Sequence, residues 1–217
     1  MKRNLFIIAC LLLVVGFWFA ASQLKKDRAE ELDFLAQENA ETFVRPHSPT
    51  LGAEDAKVHL VEFTDPACET CAAFSPYLKQ ILDRHAGKVR LVIRYAPFHE
   101  GSVDVVRVLE AARMQDKYWE TLDRLYRSQG FWTEHHRVRL DKVWEVLPAV
   151  GLDLERLRTD MNDPRIAAIL QQDYADLETL GVRKTPGFFV NGKPLEPFGL
   201  DPLVALIGSE VDTHYSD

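Results

Sequence analysis

Cysteine is scarce, with Cys10, Cys68 and Cys71 the whole complement of the 217 residues. Three thiols exclude a disulfide-stapled mini-protein, and a chain of this length can bury a core without such staples. Basic residues are in deficit too, 26 Lys and Arg against 33 Asp and Glu, for a net charge of −7. A nucleic-acid binder would need a basic face, so that class of function is disfavoured. The sequence has no internal repeat, no low-complexity tract, and no second Cys-x-x-Cys or spaced histidine pair. A structural zinc site needs four ligands, so it is disfavoured as well. What is present, 47% hydrophobic and 27% charged residues, is the balance of a chain that folds around a full core.

Met1-Lys2-Arg3-Asn4 is a short basic cap before an unbroken apolar run from Leu5 to Ala21. That order fits an export segment, and the run is close to the lower length limit for spanning a bilayer. A cut after Ser22 would make 1–22 a cleaved signal peptide. Phe17, Trp18 and Phe19 resemble an interfacial aromatic belt and favour an uncleaved signal-anchor. Lys25, Lys26 and Arg28 offset Lys2 and Arg3, so charge alone leaves the orientation open. Cys10 has too few apolar residues before it for a lipoprotein cleavage box and is read as a small apolar residue of the segment. Residues 23–50 are read as a helical linker, with Leu32, Leu35, Ala36 and Phe43 a thin apolar stripe and Pro46, Pro49 and Gly52 ending it. The globular domain is placed at 51–217.

Within that domain, Val58 to Phe63 has the β-branched and aromatic content of a buried strand. Thr64-Asp65-Pro66 ends it and predicts a helix cap. A helix follows from the Cys68 region to about His85, with Phe74, Leu78, Ile81 and Leu82 on one face. Val89 to Tyr95 predicts a second strand, so the three elements form a βαβ unit with parallel strands. Helices are predicted over Val103–Arg127, Leu140–Val150, Asp153–Met161, and from Pro164 to Leu180. Gly187 to Val190 predicts a strand, Asn191-Gly192 a hairpin turn, Lys193 to Leu195 a returning edge strand, and Leu203 to about Ile207 a last helix. The two sheet pieces should join, since neither buries both faces alone.

Cys68-Glu69-Thr70-Cys71 lies between a buried strand and the helix it feeds. Unpaired N–H groups and the macrodipole at a helix N-terminus favour a thiolate at the first cysteine. The second, one turn further in, suits the internal thiol that resolves a mixed disulfide. A closed structural disulfide and a Cu(I) site built on the same two thiolates are the competing readings. Thr185-Pro186 precedes a strand, where an X-Pro bond could be cis and set a tight turn.

Glu62 in Val-Glu-Phe, Cys68-x-x-Cys71 and Thr185-Pro186-Gly-Phe-Phe-Val-Asn-Gly together resemble the thioredoxin fold. The helical insertion, about 100–181, resembles the DsbA-like branch, the exported thiol–disulfide oxidoreductases. Pro-Phe-His-Glu-Gly-Ser at 97–102, Ala111-Ala112 and Tyr118-Trp119 add to that likeness. The fold expected is therefore α/β, a thioredoxin fold with an all-helical insertion between βαβ and ββα halves, preceded by the signal-anchor. The resemblance implies that Cys68 is the nucleophile, Cys71 the resolving cysteine, and Pro186 a cis-proline beside the sulfurs. Thr185 would offer backbone hydrogen bonds to a bound substrate chain. Glu62 matches a buried acid that helps move the proton of Cys71, against the alternative of an outward or salt-bridged strand carboxylate. The activity implied is disulfide exchange with protein thiols, recycled by a redox partner, in the bacterial periplasm at the inner membrane, without a cofactor or nucleic acid.

Two residues depart from the strongly oxidising members, which carry Pro-His between the cysteines. Glu69 and Thr70 stand there instead, and the charge of Glu69 should raise the Cys68 pKa. Threonine before the cis-proline resembles reductases and isomerases. Both push the expectation toward a milder potential. His135 and His136 are read as solvated, His99 as a capping residue that could approach the active-site face, and Phe131, Trp132 and Trp144 as core. Phe188 and Phe189 alternate across their strand, and one of them should pack beneath the proline.

Overall fold

The structure is a computed structural model that describes residues 40–135 and 137–216, with 13, 15–19 and 22–23 of the N-terminal segment. The chain divides into two units, residues 1–40 and 41–217. In the first, residues 15–19 and 22–23 are helical, and the rest of the expected signal-anchor and most of the expected linker lie outside the described residues. Among the described residues, no helix is long and apolar enough to cross a membrane.

The helical turn α1 (Ala40–Phe43) falls at the division, and the first strand of the larger unit is β1 (Thr50–Gly52). Strand β2 (Val58–Thr64), helix α2 (Glu69–Arg84) and strand β3 (Val89–Tyr95) form the βαβ unit, with β2 and β3 parallel and Glu62 opposite Ile93. The second sheet piece, β6 (Gly187–Val190) and β7 (Lys193–Pro194), joins on the other side of β2. One mixed sheet results, in the order β1-β3-β2-β6-β7. The short edge β1, antiparallel to β3, has no counterpart in the predicted elements.

Between β3 and β6 lie α3 (Ser102–Arg113), α4 (Tyr118–Arg127), α5 (Gln129–Trp132), α6 (Leu140–Val146), α7 (Leu154–Asp160) and α8 (Pro164–Thr179). The expected single helix over Val103–Arg127 is two, broken where Asp116 takes the left-handed conformation at φ 57°. Aspartate tolerates that region better than most residues, because its short side chain can bond locally. The insertion is not all-helical either. Strands β4 (Thr133–Glu134) and β5 (Arg137–Val138) pair as a small hairpin with exposed His135 in its turn. His136 lies outside the described residues. The last helix, α9, runs Leu200–Tyr215, well past Ile207, and Asp201 and Pro202 fall in its first turn rather than ahead of it.

Period-2 alternation in β2 sorts its side chains to two faces. Val58 and Leu60 join the main core with Cys71, Leu78 and the insertion helices. Val61 and Phe63 join a smaller core with Phe43, Val92, Leu177 and Phe189. Trp132 is fully buried and donates to the Leu125 carbonyl, and Trp144 packs at the core edge. Phe131, expected in the core, is exposed beside Lys142. Its four-residue helix turns Trp132 inward, and successive residues of a helix cannot share one face.

On the smaller core's side, Arg94 is buried without solvent contact and bonds Asp173 and Asp176 of α8, each at 2.6 Å. Arg45 forks onto Asp176 at 2.9 and 2.8 Å, and His47 meets Asp173 at 2.8 Å. The Asp173 carboxylate also accepts from the Tyr95 N–H. Every charge in this cluster has a partner, and the cluster ties residues 45–47 to the sheet and the insertion.

Candidate active site

Cys68 is the N-cap of α2, with extended backbone at φ −77°, ψ 120°. The expected cap at 64–66 falls three residues early, since Asp65 is occupied elsewhere. Cys68 Sγ accepts from the Cys71 N–H at 3.5 Å, and both cysteines are free thiols. Across from them, the Thr185–Pro186 peptide bond is cis, and the Thr185 carbonyl accepts from the Cys68 thiol at 3.4 Å. Thr185 is half-buried and Pro186 buried. The fold thus brings together two segments far apart in sequence, 68–71 and 185–186.

The two thiols are electrostatically unlike. A hydrogen bond from the Cys71 side chain, working against burial, pulls the Cys68 pKa from 9.0 to about 5, helped by Thr185 and the Cys71 and Thr70 amides. When Cys68 ionises, the Thr185 carbonyl loses its donor and the stabilisation comes from the donors aimed at sulfur. Burial pushes the Cys71 thiol well above its ordinary value, and the negative charges of Cys68 and Glu62 add to the effect. One thiol is primed to attack and the other to hold its proton. Glu69 and Thr70 are both exposed. Glu69, expected to raise the Cys68 pKa, is not among the largest influences on it.

Glu62 is only 3% exposed, and its Oε1 has no hydrogen-bond partner. It is neither outward nor salt-bridged. Burial raises its pKa to about 8, with the Cys68 charge acting the same way and Thr64 opposing. Glu62 and Thr64 share the β2 face that meets Cys71, two residues apart. Thr64 Oγ1 lies 2.8 Å from the Tyr126 hydroxyl, and Glu62, Ser75, Trp119 and Tyr126 line a cavity of about 20 Å³.

Phe188 and Phe189 point to opposite faces, both buried. Phe188 packs against Phe74 at 5.4 Å between ring centroids, and Phe189 against Phe43 at 4.9 Å. A groove of about 310 Å³ runs beside Pro186, lined by Lys184, Phe188, Leu195 and half-exposed Phe198. A second cis bond, Glu196–Pro197, lies on the groove's rim. The sequence reading missed it, and Pro197 carried no flanking turn signal to mark it. It also missed Asp65, whose neighbours in space come from residues 99 and 102. His99, expected as a capping residue, caps no helix: Gly101 is the N-cap of α3, and the His99 ring lies 2.6 Å from the Asp65 carboxylate. For a soft metal, Cys68 and Cys71 are the donors available. Among the described residues, no group of three or more His, Cys, Asp or Glu side chains converges to add to them.

A thiol of lowered pKa at a helix N-terminus, a second, buried thiol one turn further in and a cis-proline beside them define a thiol–disulfide oxidoreductase. Residues 45–208 match the family model described as Thioredoxin. The chain belongs to that family, as a DsbA-like member carrying a helical insertion. It is 30% identical to a probable disulfide bond formation protein D of Bacillus cereus, over 88% of both chains. It is also 30% identical, over 66% of its own length, to an Na(+)/H(+) antiporter NhaA of Herminiimonas arsenicoxydans, of which it spans only 22%. Among solved structures, a thioredoxin-like oxidoreductase from Silicibacter pomeroyi superposes with a TM-score of 0.69 at 30% identity, covering 81% of this chain and 96% of that one. The thiol-disulfide exchange protein alpha-DsbA2 of Wolbachia pipientis shares the fold, with a TM-score of 0.72 at 18% identity over 84% and 97% of the chains.

Proposed function

We propose that this chain is an exported enzyme of the bacterial periplasm that exchanges disulfides with protein thiols through a mixed disulfide at Cys68. Segment 1–22 would hold it at the inner membrane as an uncleaved anchor, with 23–40 the linker and 41–217 the catalytic domain, which takes in Phe43, Arg45 and His47 as well as the expected 51–217. The basic cap, apolar run and aromatic belt support that placement.

In the oxidising direction, a substrate thiolate attacks Cys68 Sγ of the Cys68–Cys71 disulfide. The S–S bond breaks, and Cys71 leaves with the electron pair and takes a proton from Glu62. A second substrate thiolate then attacks the substrate sulfur of the mixed disulfide, and Cys68 leaves as a thiolate. Two electrons have passed to the pair, and a redox partner must remove them before the next turnover. Thr185 pairs with the substrate backbone, and the groove beside Pro186 takes the flanking residues.

The observation that carries the direction is the contrast between the thiols, with Cys68 lowered to about 5 over a buried acid. A stabilised thiolate stabilises the reduced form and so makes the disulfide the stronger oxidant. The potential expected lies between about −270 mV, the thioredoxin value, and about −120 mV, the DsbA value. Equilibration of the pair in glutathione buffers measures it, and a Cys71→Ser variant should accumulate the mixed disulfide at Cys68. A potential below the thioredoxin value would make the chain a reductase. A pair that does not titrate reversibly would sink the assignment.

A further inference from the structure

Loop 65–68, which delivers Cys68 to the helix N-terminus, is gripped from two sides by the insertion. Asp65 is fully buried, and each of its carboxylate oxygens takes two donors. Oδ1 accepts from the Ala67 N–H at 2.8 Å and the Ser102 hydroxyl at 2.5 Å. Oδ2 accepts from the His99 N–H at 2.8 Å and lies 2.6 Å from its Nδ1. The Asp65 carbonyl in turn accepts from the Cys68 N–H at 2.9 Å. From the other side, Gln129 of α5 sends its side-chain amide to the Pro66 carbonyl at 2.9 Å and the Cys68 carbonyl at 3.0 Å. Gln129 is only 6% exposed. Its amide has two N–H donors, one for each carbonyl.

Neither grip touches a sulfur. Both act on the backbone that sets the position of Cys68 Sγ relative to the Cys71 N–H and the Thr185 segment. Displacements of a few tenths of an ångström weaken hydrogen bonds to a charged acceptor, because these bonds are short and directional. The donors that favour the thiolate are therefore only as effective as the loop is well held.

We propose that Asp65 and Gln129 are positioning residues, through which the helical insertion holds Cys68 in the geometry that makes it a reactive thiolate. This rests on Cys68 being the nucleophile. It gives the insertion a direct part in the site: it holds the loop on which the nucleophile stands.

The test is peptide-resolved alkylation of the reduced full chain by iodoacetamide as a function of pH, which separates Cys10, Cys68 and Cys71. Asp65→Asn keeps size and shape, and Gln129→Met removes both donors. Each should raise the Cys68 ionisation midpoint by about one pH unit, roughly a tenfold loss of thiolate below it. Charge alone predicts the opposite for Asp65→Asn, since removing a nearby carboxylate eases ionisation of a thiol. A lowered or unmoved midpoint in Asp65→Asn, or an unmoved one in Gln129→Met, overturns the proposal. Should either variant fail to fold by near-UV circular dichroism, Ser102→Ala decides, with a smaller rise expected and no rise overturning. In an Asp65→Asn background that folds, Ser102→Ala should add little, because the two act as one clamp. Alkylation of Cys71 ahead of Cys68 in the unmodified chain would instead overturn the assignment of the nucleophile.

Discussion

Neighbouring strands carry two buried charges that the fold treats in opposite ways. Arg94 on β3 faces the smaller core and meets Asp173, Asp176 and the chain near Arg45, with every polar group paired. Glu62 on β2 faces the main core, and its Oε1 meets no partner. In the paired cluster, although burial opposes it, hydrogen bonds from Arg45 and Arg94 hold Asp176 below the ordinary carboxylate range. The unpaired acid is raised to about 8, within reach of a change of protonation. Paired burial therefore ties elements together, and burial with one oxygen left unpartnered raises the pKa of Glu62.

The contrast breaks most completely at the sulfurs. Cys68→Ser should abolish disulfide exchange with a thiol-bearing protein substrate, and retained turnover would remove the site from consideration. Glu62→Gln comes next. The folded pKa of Glu62 lies above its ordinary value of 4.5, so the folded state binds more protons than the unfolded one between that value and about 8. Stability should fall as pH rises through this window and level off above it, by up to ~5 kcal/mol. Glu62→Gln should flatten that slope in urea titrations across the range and slow formation of the mixed disulfide at Cys68, the step in which Cys71 leaves and takes its proton.

Arg94→Met tests the other side. It leaves Asp173 and Asp176 buried with less compensation, and a loss of about 3–5 kcal/mol in the same titrations is the expected cost. Arg45→Met is a gentler version of the same cut. Arg45 is 25% exposed and Arg94 still serves Asp176, so a loss of about 1 kcal/mol is expected. Glu69→Gln should do least: with Glu69 exposed and not among the largest influences on Cys68, the alkylation midpoint should move by less than about 0.5 pH unit. A larger fall would restore the reading in which the dipeptide sets the thiolate.

Much of the scaffold was legible locally. The βαβ unit, the Asn191-Gly192 turn and the helix opened by Asp163-Pro164 follow from alternation, turn chemistry and capping, which act over a few residues. The misreadings share one origin. Asp65 looked like a helix cap because aspartate caps helices, but its partners arrive from residues 99 and 102, and the cap passes to Cys68. The Cys68 pKa is set in part by a threonine from the far end of the domain, which no local pattern announces. Phe131 looked like core by its type, and its place on a single helical turn exposes it.

The sequence by itself determined the thioredoxin-like order of elements and the Cys68–Cys71 pair at a helix N-terminus. Periodicity, caps and a four-residue motif depend only on near neighbours along the chain. Only the tertiary structure decided that the Thr185–Pro186 segment lies against Cys68, that Glu62 is buried with its Oε1 unpartnered, and that Arg94 is buried with several partners. Charge and hydrogen bonding act through space, and the groups that set these properties lie scores of residues apart in the chain.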